Sequence, residues 1–372
     1  MAGSRSLVAR SCRRPGPARR AGGGCPLGRT ARRRQSPDRS AAGSLRPENP
    51  EGRPVNRRGK LALGVLSAIH AAAGFAGFLA PYEPSTQHRE HALAAPTRIV
   101  LRGLTVTAVL PAPGGTSEFP VRWLRRTEDG WHLFTVDEPG KIFLLGTDSL
   151  GRDQWSRLLH GARISLFSGV LAALLAGLIG TVLGLLAGYY SGWCDRVVTQ
   201  VGDIFLALPW LYLLLGARAA LPLDASPLVV LSGLLAVMGI AGWPRPARLV
   251  RGMALSLRER HYVMAARGFG AGHTYILTRH ILPPVWPAVA EFVCLAIPQF
   301  VMAEVTLSFL GLGLSEPAAS WGTMLAAFAR LDAMTGAPWL AAPAAALALV
   351  SLCYRGLLSS GTRRGGGEPE RG

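Results

Sequence analysis

Three carboxylates stand inside long apolar runs of this 372-residue chain: Asp203, Glu291 and Glu304. An ionised carboxylate in hydrocarbon is costly, so such groups face a protein interior or a watery path and often handle charge there. Asp203 falls near the end of its run with Arg196 close in sequence, which makes a structural ion pair the plain alternative. Glu291 and Glu304 are read as sharing a face that lines a polar pathway. Gly146-Thr147-Asp148-Ser149-Leu150-Gly151-Arg152-Asp153 has the glycine spacing of a phosphate loop. It lacks the Lys and Ser/Thr that would hold phosphate and magnesium, and Asp153 in their place repels an anion, so nucleotide binding there is rejected. His88, Glu90 and His91 carry metal-ligand types, but exposed loop histidines are common and no metal is expected. The chain contains no Walker A lysine motif, no HExxH and no GxSxG, and no catalytic residue is expected. Cys12, Cys25, Cys194, Cys294 and Cys353 lack CxxC spacing, so neither a disulfide nor a metal centre is expected.

The second chemistry-bearing stretch is basic. Pro244 to Pro283 holds seven arginines against Glu259 and is walled in by apolar runs. Short-loop arginines mark the cytoplasmic side of a membrane protein. The stretch reads as helix over 258–267, is interrupted by Gly268, Gly270 and Gly272, and resumes over 273–282 before Pro283-Pro284. A passive loop does not need Tyr262, Val263, Ala265, Ala266 and Phe269 exposed together, so this loop is expected to dock a partner.

These residues need elements to hold them. A bilayer core of about 30 Å takes roughly 20 apolar residues as helix. Six spans are predicted, over 61–80, 164–190, 201–217, 227–243, 284–303 and 338–358, giving an all-α polytopic membrane protein with a small, β-rich periplasmic insertion. The organisation expected is a disordered basic cytoplasmic tail (1–60), a first transmembrane helix (61–81), a periplasmic insertion with an interfacial helix (82–160), a transmembrane core (161–358) with the cytoplasmic loop 244–283, and a cytoplasmic tail (359–372). Of the formal net charge of +18, +13 lies in residues 1–60, which are too poor in apolar residues to fold alone. Alternatives for that tail are a mistaken start site, a nucleic-acid-binding arm or a transit peptide. Strands are predicted within 97–109 and 121–136. The apolar stripe of Trp155, Leu158, Leu159 and Ala162 predicts an interfacial helix with Arg157 and Arg163 at headgroup depth. Gly180, Gly184 and Gly188 share one face, which either lets a neighbouring helix approach closely or reflects the frequency of glycine in membrane helices.

At this point the residues resemble a family. Met264-Ala265-Ala266, three residues, Gly270, then Ile281-Leu282-Pro283 are similar to the EAA signature of ABC-importer permeases. The segments 146–166 and 303–325 resemble its dipeptide/oligopeptide (nickel) branch. The likeness covers roughly 61–81 and 140–358. It implies a fold of the type I importer kind, packed with a second, similar permease subunit. Two cytoplasmic ABC ATPases would grip the loops, with ATP and magnesium bound on them and no cofactor on this chain. A periplasmic or lipid-anchored solute-binding protein would deliver the ligand. The resemblance assigns coupling to Tyr262, Val263, Met264, Ala265, Ala266, Gly270, Ala271 and Pro283. It assigns an outer motif to Gly146, Thr147, Asp148, Gly151, Arg152 and Asp153. Two departures stand out: Met264 occupies the position usually held by Glu, and the last span lacks the usual Gly-Asp ending. The function implied is peptide import across a bacterial inner membrane, with both termini cytoplasmic, lipid around the chain and no nucleic-acid partner. The alternatives are import of nickel or another small solute, a non-transporting sensor or scaffold, and a membrane enzyme using the three carboxylates with the outer histidines.

Overall fold

The computed structural model describes residues 57–102, 105–112, 115–127, 130–222, 225–330 and 336–362. The Arg-rich tail up to residue 56 and the end from 363 lie outside the described residues.

The axis of the fold is α3, Gln154–Tyr190. Its run from Ile164 carries no charge, and its first turn is capped by Asp153, which accepts a 2.8 Å hydrogen bond from the Ser156 backbone N–H. Asp at this position satisfies a backbone donor that the helix itself leaves unpaired. At 1.5 Å per residue the helix is about 55 Å long, well beyond the bilayer core. The predicted interfacial helix is therefore the first turns of α3 rather than a separate element.

After α3 come α4 (Gly192–Ala207), α5 (Trp210–Ala219), α6 (Pro227–Gly242), α7 (Pro244–Leu257), α8 (His261–Gly268), α9 (His273–Tyr275), α10 (Leu282–Phe309), α11 (Trp321–Arg330) and α12 (Ala342–Thr362). Ahead of α3 lie α1 (Arg57–Gly74) and α2 (Ala76–Leu79). Four stretches are long and apolar enough to cross a membrane: 154–190, 227–257, 273–309 and 338–357. A fifth exists if α4 and α5, bent by 84°, count as one broken span. Pro209 explains the break, because a proline disfavours helical backbone at the preceding residue, and Leu208 is extended. Packing supports counting the pair as one crossing. Gly180 and Gly188 of α3 face Pro246 and Ala254, whereas Gly169 and Gly177 face Val301 and Val293, so α6–α7 runs parallel to α3 while α10 runs antiparallel. Between α3 and α6 the chain must return, and α4–α5 is the only segment available.

Of the six predicted spans, four meet the length and hydropathy of a crossing on their own, or five with the bent pair. The shortfall is at the start, where α1 opens with Arg57, Arg58 and Lys60 and breaks at Phe75. Even so, α1 packs along α12, with His70 and Tyr354 edge to face at 6.2 Å.

The glycine face has its partner. A Cβ added at Gly180, Gly184 or Gly188 would stand 2.7, 2.6 and 2.7 Å from the backbone oxygens of Trp243, Ala247 and Arg251. Only glycine permits that backbone approach. Hence the first third of the basic segment 244–283 is not a surface loop: α7 continues α6 and buries Ala247, Val250 and Ala254 against α3.

Beyond α2 lies a four-stranded antiparallel meander: β1 (Arg98–Arg102), β2 (Thr105–Ala112), β3 (Gly115–Thr127) and β4 (Gly130–Val136). Ala108, Phe134 and Ile142 form its core with Tyr82 and Trp155, anchoring the sheet to the start of α3. His132 Nδ1 lies 2.6 Å from the Ala80 carbonyl oxygen, which ties β4 to the end of α2.

Candidate functional site

The glycine-rich basic stretch sits where α3 ends. Helix α8 closes with two reversed hydrogen bonds: Gly270 N–H to Arg267 O and Ala271 N–H to Ala266 O, both 3.0 Å. This pair defines a Schellman turn, which requires a left-handed residue at its centre. Gly270 supplies it at φ +81°. The chain then re-enters through α9 and a π-helical turn, Ile276–Ile281, before Pro283 in the first turn of α10.

One side of α8 is anchored. Val263 is fully buried with Val250, Ala254, Ile276, Ile281 and Leu185. The expectation that Val263 is exposed with its neighbours is therefore corrected. In a helix of eight residues the packed face must hold at least one apolar anchor, and Val263 is the residue that faces inward. The other side is free: Tyr262 and Met264 are half exposed, Ala265 is exposed, and Phe269 is 91% exposed. Ala266 and Ala271 are intermediate. Cross-ties hold the unit together. Arg267 lies 5.3 Å over the Tyr189 ring, and the Tyr189 hydroxyl is 2.9 Å from His273 Nδ1. An apolar ridge on a stiff, clamped helix can transmit a push from a bound partner to α3, α7 and α10.

At the opposite end of α3, Gly146–Asp153 forms a compact turn. Gly151, at φ +72°, packs directly on the His88 carbonyl, leaving no room for a side chain. Thr147 pairs with Asp153 as an isolated bridge. Asp148 accepts from the Leu150 and Arg152 backbone N–H groups at 2.9 Å and from Arg152 Nε at 2.7 Å. Glu316, from the connection between α10 and α11, pairs with Arg152 and accepts from Arg157 Nη2 at 3.0 Å. The motif thus builds an ion cluster of two carboxylates and two guanidiniums, buried except at Glu316. Burial alone would lower the Arg152 pKa, but the bond to Glu316 and the charge of Asp148 hold it above its ordinary value. Burial alone would raise Glu316, but both arginines keep it below the usual carboxylate range. Arg157, predicted at headgroup depth, is 1% exposed inside this cluster. Buried Asp148 and half-exposed Glu316 draw it inward, away from headgroup depth.

The intramembrane carboxylates do not converge. Asp203 pairs with Arg248 of α7, not with Arg196, because α4 packs on α7. Glu304 is buried and Glu291 exposed. Thirteen residues at about 100° each leave the two about 140° apart on α10, so they do not share a face. Glu304 accepts from Ser308 Oγ at 2.9 Å and is wedged against Ser165 and Ser320. Each of those hydroxyl oxygens already accepts a backbone N–H: Leu314 to Ser308 (3.2 Å), Trp321 to Ser165 (3.3 Å) and Thr323 to Ser320 (3.2 Å). The Ser308 proton is thereby left to point at the carboxylate. Glu304 thus joins α3, α10 and the start of α11.

An apolar cavity of about 630 Å³ lies elsewhere, between α4–α5, α6 and α10. Pro209, Trp210, Phe205 and Phe300 wall it, with Arg245 and Gln299 bonded at 3.4 Å on its rim. No sequence spacing pointed to this set, because it is assembled by the α4–α5 bend. Glu316 and Ser165 were likewise invisible as partners, being about 140 to 160 residues from the groups they meet. His88 and His91 pack their rings on Phe143. Among the described residues no three His, Cys, Asp or Glu side chains gather for a metal.

The arrangement agrees with relatives of known name. The oligopeptide transport system permease protein OppC of Bacillus subtilis is 35% identical over 209 residues, 56% of this chain and 66% of that protein. The glutathione transport system permease protein GsiD of Pectobacterium atrosepticum is 40% identical over 226 residues, 60% of this chain and 72% of that protein. GsiD of Escherichia coli O157:H7 is 41% identical over 247 residues, 65% and 78% respectively. A solved structure of the methionine ABC transporter MetNI in an inward-facing conformation aligns with a TM-score of 0.43 at 17% identity, covering 56% of this chain and 94% of that one. The family model described as binding-protein-dependent transport system inner membrane component matches residues 180–360, which include α6–α7, α8 and its glycine turn, the whole of α10 and most of α12. With a short, glycine-closed helix at one end of α3 and a motif-built ion cluster at the other, this multi-pass chain belongs to the family of binding-protein-dependent transport system inner membrane components.

Proposed function

We propose that the chain is the permease subunit of an ATP-binding-cassette importer that carries peptides across the bacterial cytoplasmic membrane. The observation that carries this reading is α8: an exposed apolar ridge, clamped to the core by Val263 and closed by the Gly270 turn. Tyr262, Met264, Ala265, Ala266 and Ala271 would form the ATPase contact, with Gly270 and Pro283 setting its angle. ATP and magnesium belong to two partner ATPases, which dock on α8 and its counterpart in a second permease subunit. Closure of the ATPases would push α8 as a lever, and rigid-body motion would open the cavity around Trp210 and Phe300 to alternate sides. In this orientation α8, the start of α1 and the end of α12 face the cytoplasm. The sheet and the ion cluster then face the periplasm, where a solute-binding protein delivers its cargo. α1 is the first crossing. Peptide as cargo is supported by the names of the relatives, and by a cavity that combines aromatic walls with the Arg245–Gln299 rim.

The test is to tag the chain, extract it gently from its own membrane and identify what accompanies it. Two related ATPases and a second permease are expected. The Gly270→Pro variant should insert normally and lose uptake, because proline removes the N–H that closes the turn and cannot adopt a positive φ. A chain that purifies alone beside an intact control importer, or normal uptake by the variant, would overturn the reading.

A further inference from the structure

A second cavity, about 660 Å³, opens between α1, α3, α6 and the connection before α11. Its chemistry is divided along α3. His160 and Arg163 stand at the top, and Ile164, Phe167 and Leu171 continue downward on the same stripe, facing Leu231 and Leu235 of α6. Arg163 is exposed and has no ion pair among the described residues, although Arg157, less than two turns away, is fully engaged. Arg163 is also the last charge before the uncharged run to Tyr190. A bilayer would therefore hold its guanidinium at headgroup level and the trough below it in hydrocarbon. From Arg163 to Leu171 the stripe descends about 12 Å, room for roughly the upper half of an acyl chain.

We infer that this trough binds one anionic phospholipid, with the headgroup phosphate on Arg163 beside His160 and an acyl chain along Phe167, Leu171 and Leu235. An unpaired cation above an apolar slot is complementary to that amphiphile and to no purely polar solute. A second protein subunit laid over the slot would have to bring an acid to Arg163 at the interface, whereas the membrane supplies phosphate there already. The inference requires only that the chain spans the membrane, and stands apart from the identity of the cargo.

The experiment is native mass spectrometry of the full chain, purified with whatever subunits accompany it and stripped of lipid. It is then titrated with phosphatidylglycerol or phosphatidylcholine. The wild type should retain one phosphatidylglycerol at least fivefold better than phosphatidylcholine. Arg163→Ala should lose that preference, while Arg163→Lys, which keeps the charge, should retain most of it. Ser168→Trp, which fills the slot, should reduce retention of both lipids. Equal retention of the two lipids by the wild type would overturn the inference, as would undiminished phosphatidylglycerol binding by Arg163→Ala. So would a protein subunit found seated over Phe167 and Leu171 in the assembled complex.

Discussion

Val263 shows how a single side chain divides a helix between a packed face and an exposed one. It is the one residue of α8 that is fully buried, and its neighbours on either side point outward. Replacing it with Ala removes two buried carbons and leaves a small void, a cost of about 2 kcal/mol. The expected result is a lower melting temperature for the purified chain and faster proteolysis after Arg260 and Arg267, with membrane insertion intact. Met264→Ala, by contrast, removes a half-exposed side chain and should leave stability within about 0.5 kcal/mol. A difference between the two in the opposite sense would show that α8 is not anchored through Val263. Sequence pattern marked this stretch as a unit but could not separate its faces. Eight residues contain barely two helical turns, too few for periodicity to choose an inward side.

At the scale of elements, the contact that organises the bundle is α3 against α7, made possible by glycines every four residues. Gly184→Leu would drive a side chain into the Ala247 carbonyl and Val250. Overpacking of this kind costs about 3 kcal/mol, and more where backbone must move. The variant should fail to give a monodisperse protein, measured by size-exclusion profile and thermal stability in detergent. Gly64→Leu on α1, where nothing lies within 4 Å of the added carbon, is the matched control and should be tolerated. The glycine spacing itself was legible in the sequence. That its partner is the basic segment was not, because arginines conceal the small residues between them: Arg248 and Arg251 turn toward Asp203 and Asp195 on α4, leaving Ala247, Val250 and Ala254 for α3.

For the whole molecule, the end opposite α8 is held by charge, and its stability should respond to pH. Burial pushes the Asp153 carboxyl up to about 6 from an ordinary 3.8, opposed by its bonds to Ser156. Between those values the folded chain keeps a proton that the unfolded chain has released. This group's contribution is fully present below about pH 4 and is lost as pH rises through 6, worth at most about 3 kcal/mol. Asp153→Asn, which preserves the helix cap, should flatten that part of the stability–pH curve, read as melting temperature from pH 4 to 7. A curve unchanged by the substitution would place the titrating group elsewhere. By itself the sequence determined the membrane class, the strong crossings, the small sheet and the places of three motifs, because hydropathy, alternation and glycine spacing are local properties of the chain. Only the tertiary structure decided that α7 belongs to the core, that Asp203 meets Arg248, that Glu304 clasps three helices and that Arg157 and Glu316 join the outer motif. Those outcomes rest on pairings between residues up to about 160 positions apart, and such partners are selected by packing geometry, which no window along the chain contains.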